Sequence, residues 1–88
     1  MEIKKGFELR DVCGENIVIA HGLENIDFTK VITLNESAAY IWRNVEGKEF
    51  TEEDMVNLLL SEYEVEKSQA QADVKALVAS WLREGLVE

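Results

Sequence analysis

The chain has no proline and only one cysteine, one histidine and five glycines among its 88 residues. A lone thiol, Cys13, can form no internal disulfide and cannot supply a multi-thiolate metal site, so it reads as structural and the reducing cytoplasm as the economical location. His21 precedes Gly22 at the expected end of a strand and reads as a turn residue, because general-base work also needs an orienting partner and a substrate pocket. Long apolar runs are missing too. The longest, Met55-Val56 and Leu58-Leu59-Leu60, is too short and interrupted to cross a bilayer, and Met1-Glu2-Ile3-Lys4-Lys5 is followed by no apolar signal core. There is no glycine-rich phosphate loop, nucleophile elbow or histidine–carboxylate metal motif, so no catalytic residue, metal ligand or cofactor site is expected.

Basic residues are scarce. Nine stand against eighteen acids, a net charge of −9, with +4 and −6 in residues 1–34 and +5 and −12 in 35–88. Neutralising phosphates takes a clustered basic surface, so this field opposes both nucleic acid and anionic membrane and favours basic partner surfaces.

What is present suffices for a folded protein. A hydrophobic fraction of 47% is well above that of disordered chains, and the length predicts one domain, 1–88, with a single small core. From Phe7 to Leu34 the pattern is strand-like. Phe7-Glu8-Leu9-Arg10 alternates, turn residues Gly14-Glu15-Asn16 follow, and Ile17-Val18-Ile19-Ala20 is a β-branched run, together predicting a hairpin. After a loop around Gly22 to Asp27, a third short strand is expected from about Lys30 to Leu34.

Helical periodicity then takes over. Asn35 is a favoured N-cap with Leu34 as a staple, and Ala38, Ile41, Trp42 and Val45 recur at i, i+3, i+4 and i+7 on one face that runs to Gly47. The second helix opens with Phe50 as a staple to Met55 and Thr51-Glu52-Glu53-Asp54 as a hydroxyl cap with an acid three residues on. Its stripe is Met55, Val56, Leu59, Leu60 and Tyr63, with Leu58 off it. The three acids complement the helix dipole and point in different directions, so they form no cation site. The third helix begins between Glu66 and Ser68, with Ser68 and Gln71 fitting a capping box. Its apolar positions are Ala70, Val74, Leu77, Val78, Trp81 and Leu82, and Gly85-Leu86 matches a C-cap. Trp42 and Trp81 fall at core positions. Asp73, among the apolar positions of the last helix, is either a solvated flank or a polar contact at a groove rim.

The order β-β-β-α-α-α with short connections predicts a winged-helix-like α+β domain, a three-stranded antiparallel sheet followed by three helices. The residues Leu34-Asn35-Glu36-Ser37-Ala38-Ala39 with Ile41-Trp42, then Gly47, Thr51, the Tyr63 segment, Asp73-Val74, Leu77 and Gly85-Leu86, follow the order and spacing of a known family. In these the chain resembles the pyrroloquinoline quinone biosynthesis protein D family, whose fold recurs as the precursor-peptide recognition element of ribosomal peptide-modifying systems. It departs from the family pattern at Glu66-Lys67, where an aspartate and a proline are common, and in the 22–30 loop.

The resemblance implies a non-catalytic adaptor. It would bind the leader of a ribosomally made precursor and present it to a modifying enzyme, commonly a radical S-adenosylmethionine enzyme, acting as a monomer or weak homodimer. An exposed edge on the third strand can accept a peptide as an added strand. Expected contacts are Lys30, Val31, Ile32 and Thr33 on that strand and Ala70, Asp73, Val74 and Leu77 on the last helix, while Leu34 and Asn35 are assigned to structure. Two other classes share the topology: a winged-helix nucleic-acid reader, and a protein–protein scaffold or dimerisation module. The first is opposed by charge, because Lys67, Lys75 and Arg83 are spread along the last helix and offset by Glu66, Asp73 and Glu84.

Overall fold

The computed structural model describes residues 1–20 and 32–88, Ala20 by its backbone alone. Strands β1 (Phe7–Val12), β2 (Glu15–Ala20) and β3 (Ile32–Leu34) precede helices α1 (Glu36–Val45), α2 (Glu52–Glu62) and α3 (Lys67–Arg83). The sheet is antiparallel in the order β1-β2-β3, the α+β arrangement expected from the sequence.

Leu9, Val18 and Ile32 lie opposite one another across the three strands, and all three pack toward the helices. Because side chains alternate along a strand, the neighbouring row of Arg10, Ile17 and Thr33 faces away. The hairpin is tighter than the sequence reading placed it. Val12 pairs with Glu15, so the turn is Cys13-Gly14 alone, with φ of +53° and +82°. Two positive φ values in a two-residue loop are the mark of a type I′ turn, whose twist matches that of the flanking strands. Asp11 Oδ1 accepts from the Gly14 amide at 3.1 Å and supports this turn, so Glu15 and Asn16, expected in the turn, join the ladder instead.

Each helix boundary has a local cause. Asn35 caps α1, its Oδ1 accepting from the Ala38 amide at 2.8 Å. The exit is a type II turn: Glu46 is at φ −59°, ψ 133°, Gly47 is at φ +80°, and the Lys48 amide donates to the Val45 carbonyl at 3.3 Å. Such a turn needs a positive φ at its third residue, which is why Gly47 stands there. Thr51 and Asp54 complete a capping box on α2, each side chain accepting from the other's amide. At α3 the N-cap is Glu66 without a side-chain bond, and Ser68, expected to cap, lies inside the helix. The far end closes as a Schellman motif, with Leu86 donating to Trp81 and Gly85 to Leu82.

The core lies where the inner faces of sheet and helices converge, and its large members include Trp42, Trp81, Phe50, Ile41, Met55 and Leu86. Leu82, assigned to the apolar face of α3, is 56% exposed, because the neighbours covering Val78 and Trp81 do not extend around the helix to it. One closure had no sequence signal. The first residues pair antiparallel with the last, Ile3 opposite Val87, with Glu2 and Glu88 exchanging both amide bonds and Lys4 donating to Leu86. Phe50 is tied to Met1 by a 2.8 Å amide bond, so the residues entering α2 are held by the same strap.

Candidate functional site

The third strand is held on one side only: β3 pairs with β2 and has no further neighbour among the described residues. Such an edge leaves a row of backbone donors and acceptors without sheet partners. Within it Ile32 is half-buried against the core, Thr33 is exposed on the opposite face and Leu34 is buried. Lys30 and Val31, also expected to make contacts, lie outside the described residues, as do His21 and the 22–30 loop.

Where β3 runs into α1 a trough opens between the start of α1 and the middle of α3. On α3, Asp73, Leu77 and Ser80 are spaced i, i+4 and i+7, which sets them in one line along the helix. The N-cap Asn35 and Ser37, Ala38 and Ile41 of α1 form the facing wall, and Leu59 of α2 and Val74 of α3 lie at the floor. This lobe encloses about 380 Å³. A second lobe of about 470 Å³ continues toward the α2–α3 connection and adds Glu36, Tyr63 and Val65. The two share Asn35, Ser37, Leu59 and Asp73 and form one continuous depression.

Several of these side chains are fixed by other duties. The Asn35 carboxamide caps α1 and also accepts from the Ser37 hydroxyl at 3.0 Å, so one residue both starts the helix and shapes the wall. Tyr63 meets Tyr40 edge to face, ring centroids 6.1 Å apart, which holds the end of α2 against α1. Asp73 is exposed at the rim, with Oδ1 accepting from Gln69 Nε2 at 2.9 Å one turn back. Of the two readings open for it from sequence, its position is that of a rim residue.

Of the expected α3 contacts, Asp73, Val74 and Leu77 line the trough. Ala70 is buried in the core with no exposed surface, and it offers a ligand nothing directly. Asn35, assigned to structure alone, proves to be both cap and wall. Ser37, Leu59 and Ser80 were missed because α1, α2 and α3 meet here through tertiary packing and no sequence spacing announces it. The cations of α3 are all exposed, but Lys67 and Lys75 open onto a separate α2–α3 cleft that they share with Glu52 and Glu53. No group of three or more histidine, cysteine or acidic residues among the described residues is placed to hold a metal ion. No helix among them is long and apolar enough to cross a membrane.

A model of the family described as coenzyme PQQ synthesis protein D (PqqD) matches residues 20–87. The chain belongs to the PqqD family. The match takes in β3, all three helices and the whole trough, while β1 and most of β2 precede it. Two solved structures extend the likeness of fold to the hairpin as well. One, TbiB1 in complex with the TbiA(beta) leader peptide, is 19% identical with a TM-score of 0.76, over 100% of this chain and 95% of that one. The other, lasso peptide synthetase B1 complexed with the leader peptide, is 23% identical with a TM-score of 0.74, over 99% of this chain and 95% of that one. A search among curated proteins finds no match. For this PqqD-family chain the shared architecture is thus the three-stranded antiparallel sheet followed by three helices.

Proposed function

We propose that residues 1–88 act as one non-catalytic recognition domain that binds the leader segment of a ribosomally made precursor peptide and presents it to a modifying enzyme. The observation that carries this reading is the one-sided β3 edge running directly into a trough with an apolar floor and polar rim. Membership of the PqqD family supports it, as does the likeness to two structures that each hold a leader peptide. An extended peptide adding to β3 gains backbone hydrogen bonds that give affinity, while alternate side chains enter pockets that give specificity. The backbone of Lys30, Val31, Ile32 and Thr33 would supply the first, and Asp73, Val74 and Leu77 the second. The enzyme served is of the radical S-adenosylmethionine type, making pyrroloquinoline quinone or a related peptide-derived product, and the setting is the cytoplasm, in keeping with the unpaired, exposed Cys13.

The test is a titration of isotopically labelled protein with leader peptides from precursors encoded beside its gene, and separately with duplex DNA, following backbone amide shifts at two salt concentrations. Saturable shifts at Ile32–Leu34, Leu59 and Asp73–Ser80 with peptide alone are expected. Salt-sensitive shifts along α3 with DNA would instead make it a nucleic-acid reader, and silence from both would leave it a scaffold.

A further inference from the structure

Resting on the reading of the trough as a leader-peptide groove, we propose that it selects a peptide in which a long basic side chain stands two residues from an apolar one. The two lobes differ in chemistry. The lobe toward Ser80 has an aliphatic interior, with Ala38, Ile41, Leu59, Val74 and Leu77 all contributing, and suits a branched or aromatic side chain.

The lobe toward Val65 brings together two carboxylates, Glu36 and Asp73, one aromatic ring, Tyr63, and the aliphatic Leu59 and Val65. Lysine and arginine are long apolar stems with a cation at the tip. Here the stem can lie on Leu59 and Val65 while the head reaches the rim acids beside the Tyr63 ring, which itself favours a cation. No lysine or arginine among the described residues lines either lobe, in contrast to the α2–α3 cleft, where Lys67 and Lys75 balance Glu52 and Glu53. The start of α1 adds a partial positive charge of about one half, smaller than the two carboxylates and offset by Glu36 in the first turn.

The spacing follows from geometry. Asn35, Ser37, Leu59 and Asp73 border both lobes, so the lobes are adjacent. In an extended chain, side chains on one face recur every second residue, about 6.6–6.8 Å apart. Neighbouring lobes therefore take residues i and i+2.

The experiment selects binders to the immobilised chain from a random dodecapeptide display library, then measures synthetic versions in solution. Selected peptides are expected to carry arginine or lysine two positions from an apolar residue. The double variant Glu36→Gln, Asp73→Asn should bind them about tenfold or more weakly. A peptide with norleucine in place of the base should be insensitive to that variant. Both positions are exposed, and the carboxamide introduced by Asp73→Asn keeps an acceptor for Gln69, so the fold is retained. Selected peptides that shift the amides of Leu59, Asp73 and Leu77 but lack a base at that spacing would overturn the selectivity and leave peptide capture standing. Failure to obtain any peptide that shifts those amides would overturn both.

Discussion

The indole rings of Trp42 and Trp81 meet edge to face, centroids 5.3 Å apart and planes at 80°. One belongs to α1 and the other to α3, and they are 0% and 1% exposed, so the contact sits at the centre of the core. Both helices also wall the trough, so this pair is a direct buried contact between the helices on its two sides. The indole N–H of each ring is buried without an oxygen or nitrogen acceptor among the described residues.

Trp81→Ala is expected to cost about 3–5 kcal/mol, the range for deleting a buried large aromatic side chain. Domains of this kind are stable by only about 5–15 kcal/mol, so the variant would be close to unfolding. Trp81→Phe should cost clearly less, because the lost N–H has no acceptor to leave stranded. Urea denaturation of the three proteins checks the ranking, and equal losses for Phe and Ala would contradict it.

Removal of the α2 cap by Thr51→Ala should cost about 1 kcal/mol, since it leaves the Asp54 amide without its acceptor. For a domain of this size that is a fall of about 4–8 °C in Tm. Thr51→Ser keeps the hydroxyl and should restore most of it. Thermal denaturation followed by circular dichroism is sufficient, and a Ser variant as unstable as the Ala variant would show that the methyl group, and not the hydroxyl, matters.

Cys13 occupies a positive-φ position that costs most side chains about 1–2 kcal/mol, while asparagine is among the few that take it readily. Asn-Gly is also the preferred pair for a type I′ hairpin. Cys13→Asn is therefore expected to raise stability by about 0.5–1 kcal/mol. A lower denaturation midpoint would mean that the turn is not type I′.

Leu77 is half-buried on the trough side of α3. Leu77→Ala should lower stability by less than about 2 kcal/mol, below the range for fully buried leucine, and weaken leader-peptide binding about tenfold or more. Leu82→Ala, on an exposed part of the same helix, should leave binding unchanged. Calorimetric titration of both variants with one leader peptide separates the two; equal effects would place the peptide elsewhere.

Much of the architecture was legible because its signals are local. The Asn35 cap, the Thr51–Asp54 box and the glycines of the turns at 47 and 85 each act within a few residues, and each formed where expected. The misread local features were ones in which two local options compete. Gly14 with either neighbour can make a turn, and pairing Val12 with Glu15 chose Cys13-Gly14. Ser68 can cap a helix, but a start at Lys67, with the Ala70 amide donating to the Glu66 carbonyl, left it inside the first turn.

By itself the sequence determined the order of elements, the faces they bury and the resemblance to the PqqD family, because periodicity and capping are written in residue spacing. Only the tertiary structure decided which side chains share a site. Asp73 comes to lie with Asn35, Leu59 and Tyr63 across gaps of 38, 14 and 10 positions. The pairing of residues 1–4 with 86–88 joins opposite ends of the chain. Neither follows from local preference, since both depend on how the buried faces of separate elements pack into one core.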